Sequence, residues 1–303
     1  MSAEAMAGIG KLVVIGVGLI GGSFALALRR AGATANVVGV GRGRSNLDTA
    51  RRLGMIDRAL ALDEPWTSEL ADADLVFLAT PVGAMPALLE TIALHVGPRT
   101  VITDAGSTKQ DVIAAARAGL AAVFPRFVPG HPIAGTEHSG AAAAFEALFR
   151  DRQVVLTPLP ETDAGACQIV ADAWRCCGAT VRLLDAARHD AILSAVSHLP
   201  HVIAFALMSE LAARQDPAQY FDLAGTGLRD LTRLASSHAG MWRDVCLANR
   251  AALRGDIARY RAELDRIDAL LARGDGDALL ALFARARAAR DAWLERTSGR
   301  DEA

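Results

Sequence analysis

The chain has 303 residues, 52% of them apolar, enough to bury two cores, so two domains are expected. Its formal net charge of −2, with both signs interspersed, excludes the basic footprint of a nucleic-acid binder. The first eight residues lack the basic start and apolar core of a secretory signal, and no apolar run reaches the ~20 residues of a membrane span. Cys167, Cys176, Cys177 and Cys246 follow no zinc spacing and read as thiols of a reducing compartment. A soluble cytoplasmic protein is expected, with a small-molecule substrate and neither nucleic acid nor membrane as partner.

The first element is the apolar run Lys11-Leu12-Val13-Val14-Ile15, which leads into Gly16-Val17-Gly18-Leu19-Ile20-Gly21 and an amphipathic stretch over residues 23–30. Strand, glycine turn and helix in this order form a pyrophosphate site. Gly16 permits the tight turn, Gly18 lets the backbone approach the phosphates, and Gly21 lets helix and strand pack closely. The free N–H groups of the helix start, at Leu19 and Ile20, add the positive end of the dipole.

Further strands are predicted over residues 37–40, 75–79, 101–103, 127–130, 154–157 and 181–184. Helices are predicted over 45–53, 84–95 and 109–118. Several early strands are continuously apolar, as in a parallel sheet covered on both faces. The alternation predicts an α/β fold, with a Rossmann-type doubly wound dinucleotide-binding domain over residues 8–186.

About 20 residues beyond the glycine loop, an acid usually binds the ribose 2′-hydroxyl of NAD. Gly41 stands there instead, followed by Arg42, Arg44 and Ser45. These arginines suit a solvated loop or the 2′-phosphate of NADP equally well, and Ser45-x-x-Asp48 reads as a capping box. NAD or NADP is therefore the expected cofactor, with a lean toward tolerance of NADP. Thr80-Pro81 and Asp104-Ala105-Gly106-Ser107-Thr108-Lys109 each end a strand, at the sheet edge where ligands bind.

Gly130-His131-Pro132 offers a histidine on a rigid turn after an apolar strand, on the same rim. An imidazole of ordinary pKa near 6.5 suits proton transfer at neutral pH.

Beyond residue 185 the strand signal stops. Helical periodicity runs over 186–211, 239–271 and 275–297, broken at Asp216-Pro217 and Gly274-Asp275-Gly276. An all-helical domain over residues 187–297 is expected, with more apolar face than it can hide alone, hence a homodimer. Ser197 and His201 share a helix face, and Pro200 should bend that helix. His198-x-x-His201 lacks a third ligand, so no metal site is expected. Arg229 and Arg233, four apart on a helix beginning near Leu228, should project from one side and suit a dicarboxylate.

Taken in order, these segments resemble the prephenate/arogenate dehydrogenase family, the cyclohexadienyl dehydrogenases of tyrosine biosynthesis. The specific carriers are Gly130-His131-Pro132-Ile133-Ala134-Gly135-Thr136-Glu137, Ser197-His198-Leu199-Pro200-His201 and Gly225-Thr226-Gly227-Leu228-Arg229-Asp230-Leu231-Thr232-Arg233. The resemblance implies oxidative decarboxylation of prephenate or arogenate, with hydride passing to NAD(P). It further implies His131 as base, Ser107 touching the ring hydroxyl, and Arg233 holding a substrate carboxylate. Ser197 and His201 would line the pocket, with Thr136, Glu137 and Arg229 at its mouth. Glu137 could pair with the ammonium of arogenate or gate the pocket through Arg229.

Two competing readings make different demands. A hydroxyacid dehydrogenase of similar plan would carry a catalytic lysine in the helical half, and that half contains no lysine. A dinucleotide-binding protein without chemistry would not need His131, Ser107 and Arg233 together.

Overall fold

The computed structural model describes residues 8–136 and 138–298. Its first segments are β1 (Ile9–Ile15), α1 (Leu19–Arg30), β2 (Thr34–Gly41), α2 (Arg44–Arg52), β3 (Arg58–Ala61), β4 (Leu75–Leu78), α3 (Met85–Ala93), β5 (Val101–Asp104), α4 (Gln110–Gly119) and β6 (Phe127–Val128). The six strands form one parallel sheet in the order β3-β2-β1-β4-β5-β6. Alternate residues of β1 explain the continuous apolar run. Leu12 and Val14 enter one buried cluster, whereas Val13 and Ile15 enter the other. Helices on both faces thus demand apolar side chains at every position. Against one face, Phe24 of α1 meets Phe77 at 4.4 Å and Trp174 at 4.5 Å between ring centroids.

The sheet ends at β6, and the next strands form a separate one. β7 (Gly130–Pro132), β8 (Gln153–Leu156) and β9 (Thr180–Leu183), with α5 (Ala164–Cys176) between the last two, make a three-stranded sheet. In it β7 runs antiparallel to β8 and β8 parallel to β9. This corrects the expectation for His131. The predicted strand 127–130 is split at Pro129, and His131 lies inside β7, paired with Val155, rather than on a turn. The short β3 escapes periodicity because its four residues include a single fully buried side chain, Ala61.

No strand follows Leu183 among the described residues. α6 (Ala186–Leu193), five residues wound as π-helix (Ser194–His198) and α7 (Leu199–Ala212) run as one 27-residue helix. Few of its residues are fully buried, and by length and composition it could cross a membrane. It coincides with the helix predicted over 186–211, although His189, Asp190 and His198 keep its apolar stretch from being continuous. Then come α8 (Pro217–Asp222), α9 (Thr226–Thr232), a 3-10 turn (Arg233–Ser236) and α10 (Ala239–Ala248). The helix predicted over 239–271 is interrupted at Asn249, beyond which α11 (Arg250–Arg273) and α12 (Gly276–Ser298) follow. One compact unit reaches Arg250, and the second, from Ala251, consists of the remaining turns of α11 and of α12.

Candidate active site

The glycine loop has the geometry a pyrophosphate needs. Gly16 sits at φ +100°, where a Cβ would lie 2.5 Å from the Ala79 carbonyl oxygen. A Cβ on Gly21 would meet the Gly16 carbonyl oxygen at 2.2 Å, so helix and turn touch through backbone alone. By contrast, a Cβ on Gly18 would meet nothing within 4 Å. That open space faces the start of α1, where Gly18 provides no side-chain cap and Leu19 and Ile20 open the helix. Thr80, whose methyl lies 3.1 Å from the Cβ position of Gly16, borders the same turn beside exposed Pro81. The cradle fits a dinucleotide phosphate.

After β2 the expected capping box is absent. α2 begins at Arg44 with Gly43 as its uncapped N-terminus, so Ser45 lies inside the helix and the Ser45–Asp48 capping box does not form. Arg44 pairs with Glu64, which also accepts from the Ala61 N–H at 2.6 Å. Arg42 and Ser45 are exposed. Asn46 does the work of a clasp, donating to the Val17 carbonyl at 2.6 Å and accepting from the Ala141 N–H at 2.7 Å.

His131 stands at the centre of a buried polar network. Behind it, at the end of β5, Lys109 and Asp104 form a fully buried ion pair at 2.5 Å. The Lys109 ammonium also donates to the Gly130 carbonyl at 2.6 Å, and the Gly130 N–H donates to Asp104 at 3.0 Å. The segment carrying half-buried Ser107 is thereby bolted to the strand carrying His131. Burial pushes the Asp104 carboxyl up from its ordinary range, against the pull of Lys109. His131 Nδ1 lies 2.8 Å from His189 Nε2, and His189 Nδ1 lies 2.8 Å from Asp190 Oδ1. Burial first, then the neighbouring His189, Lys109 and His198, hold the His131 imidazole well below 6.5.

The helical segment supplies the other wall. His198, fully buried, meets Asn249 at 3.2 Å, and burial brings its pKa down to about 4. His201 stacks on Trp242 at 3.5 Å and hydrogen-bonds the carbonyl of half-buried Ser197 at 2.9 Å. Its pKa is lowered by burial and further by the charge of Arg233.

His131, His198, His201 and Arg233 thus follow one another within electrostatic reach. Arg229 lies on α9, which begins at Thr226 rather than near Leu228, whereas Arg233 opens the 3-10 turn beyond it; both are exposed. Thr136 is exposed and accepts from the His138 N–H at 3.2 Å. Glu137 lies outside the described residues. Sequence reasoning missed His189, Asp190, Trp242, Asn249 and the Lys109–Asp104 pair. Adjacent His-Asp on an otherwise apolar helix was the available signal for the first two.

Comparison with known proteins decides the family. Residues 24–183 match the family described as prephenate dehydrogenase, nucleotide-binding domain, and residues 185–285 match prephenate dehydrogenase, dimerization domain. The cyclohexadienyl dehydrogenase of Zymomonas mobilis is 34% identical over 92% of this chain and 94% of that protein. The chain belongs to the prephenate dehydrogenase family. It is an NAD(P)-dependent oxidoreductase of the prephenate/arogenate dehydrogenase class. Among solved members of the prephenate dehydrogenase family, the Aquifex aeolicus enzyme in complex with hydroxyphenyl propionate and NAD+ superposes with a TM-score of 0.86 at 30% identity, covering 95% of this chain and 99% of that one. Synechocystis arogenate dehydrogenase gives 0.76, also at 30% identity, over 93% and 99%.

Proposed function

We propose that the chain oxidatively decarboxylates prephenate in tyrosine biosynthesis, in the cytoplasm, with His131 as the proton acceptor. The observation that carries this reading is the His131 site itself: an imidazole whose pKa burial lowers, fixed by a buried network, in a chain that also builds the glycine cradle of a dinucleotide. The cradle would be formed by Gly16, Gly18, Leu19, Ile20 and Gly21, with Thr80 and Pro81 bordering it. When bound, the nicotinamide supplies the hydride-accepting carbon.

The residues of the chain do the rest. Ser107 and His131 hold the ring hydroxyl, and His131 takes its proton as the carbinol carbon gives up hydride. Loss of carbon dioxide then aromatises the ring, and the proton returns to the phenolic oxygen. Because aromatisation drives the step, the protein's task is orientation and the holding of one proton. Ser197 and His201 line the pocket, with Thr136, Glu137 and Arg229 at its mouth. We read residues 8–186 as the dinucleotide domain and 187–297 as the substrate and dimerisation domain. The incompletely buried apolar run through α6 and α7, within the segment matched as a dimerization domain, supports a homodimer. Initial rates of the purified protein with prephenate and with arogenate test the reading. Faster turnover of arogenate would reverse the substrate assignment.

Arg233→Ala is expected to raise KM for prephenate by about tenfold or more, the scale of a charge-assisted hydrogen bond of ~1.5–3 kcal/mol. Arg229→Ala should change it little. Equal small effects would return both arginines to a solvated face.

For the cofactor, we propose that NADP is used at least as well as NAD. Gly41 offers no carboxylate to repel a 2′-phosphate, and the start of α2 has no side-chain cap, leaving its N–H groups to meet an anion beside Arg42 and Ser45. Arg44 is the weaker contributor, being held by Glu64. A Cβ at Gly41 would lie 3.4 Å from Leu47, an ordinary contact, so Gly41→Asp fits. It should shift preference toward NAD by about 1–3 kcal/mol in kcat/KM. A parent protein that strongly prefers NAD would sink the NADP reading.

A further inference from the structure

His189 and Asp190 lie directly behind the base, and the chemistry above gives them no task. Asp190 is engaged on both oxygens: Oδ1 accepts from the Lys109 N–H at 2.8 Å, and Oδ2 from the Gln110 N–H at 2.9 Å. These bonds seat the carboxylate on the start of α4 and favour its ionised form, which only accepts hydrogen bonds. The proton between Asp190 Oδ1 and His189 Nδ1 therefore sits on His189. With its proton on Nδ1, His189 presents Nε2 as an acceptor 2.8 Å from His131 Nδ1, so His131 must donate there. That leaves the His131 lone pair on Nε2. Asn249 secures the arrangement from the far side, donating to the Asp190 carbonyl at 2.7 Å.

We infer that His189 and Asp190 are positioning residues that hold His131 in the tautomer whose Nε2 accepts the substrate proton. The inference rests on the assignment of His131 as base. When His131 becomes an imidazolium, its Nδ1–H still donates to His189, whose own N–H still donates to Asp190. The buried carboxylate thus offsets the new charge without receiving a proton, the logic by which an aspartate orients a catalytic histidine in hydrolases. The Lys109 side chain pairs with Asp104 and meets Asp190 only through its backbone N–H.

Nitrogen-15 spectra of the histidine-labelled full-length enzyme with NAD+ test the tautomer directly. Protonated Nδ1 and unprotonated Nε2 at His131 are expected; a protonated Nε2 on neutral His131 overturns the inference. Two variants read the consequence. His189→Leu removes the acceptor and should lower kcat by about 10–10³-fold, within or below the range for losing a general base. KM for substrate and cofactor should stay within about twofold, as expected for a group acting only in the transition state. His189→Gln restores an acceptor oxygen and should recover most of the rate. Unchanged kcat in the leucine variant, or no recovery with glutamine, overturns the positioning role. If the leucine variant does not fold, the parent spectrum and the glutamine rate still decide. Failure of the base assignment is separate, since it would appear as retained turnover in a His131 variant while the His131 tautomer remained as inferred.

Discussion

Replacing His131 by Asn is expected to lower kcat by about 10²–10⁴-fold while cofactor affinity stays nearly unchanged. Asparagine can place its amide nitrogen where Nδ1 now lies and keep the contact to His189. It has nothing at the position of Nε2, so the loss is confined to the proton acceptor. The pH profile carries a second signature. Burial and the neighbouring His189, Lys109 and His198 lower the His131 pKa, and the neutral ring is the active form. Falling pH therefore removes activity only once it passes through that lowered pKa, well below 6.5. In the parent, kcat/KM should hold level through neutrality and then fall tenfold per pH unit on the acid side. The variant should lack this limb. Initial rates followed by NAD(P)H absorbance measure both, and near-normal turnover would mean that the base is another group.

Lys109→Met should destabilise the fold by about 3–5 kcal/mol, the cost of leaving one partner of a buried ion pair alone. The ammonium now bridges the Asp104 carboxylate and the Gly130 carbonyl, and methionine fills its volume without serving either. Only the N–H groups of Gly106 and Gly130 would remain on Asp104. Its pKa, already raised by burial, would rise further without the cation. A carboxyl whose folded pKa exceeds its unfolded value binds its proton more tightly when folded, so the deficit should shrink as pH falls. Urea midpoints at pH 8 and pH 5.5 should therefore differ less from the parent at the lower pH. A deficit below about 1 kcal/mol at pH 8 would show that the pair contributes little.

Much of the frame is legible locally. The strand–glycine–helix opening depends on residues within one turn of each other, and the buried strands need apolar side chains on both faces, so composition alone reveals them. Ser107 stands out by its place after a strand, whereas His131, expected on a turn, lies inside β7. What escaped depends on distance along the chain. His131 finds His189 58 residues away, and Lys109 finds Asp190 81 residues away, where no spacing rule applies. Ser45–Asp48 misled because a valid local motif lost to a helix that begins one residue earlier, at Arg44. Likewise β3 has too few buried residues to announce itself, and Pro129 breaks a strand that hydrophobicity alone would continue into β7.

The π-helical turn at Ser194–His198 sets the phase of everything that follows it. Such a turn amounts to one extra residue in an α-helix, and each residue turns the helix by about 100°. His189 and Asp190 precede it, whereas His201 follows. Excising Val196, which is 67% exposed and so costs little packing, would let the segment close as ordinary α-helix. The chain would gain regularity there and swing His201 away from Trp242. The irregular turn therefore works as a fixed clocking of two half-helices, and the alignment of the pocket depends on its residue count as much as on the side chains it presents.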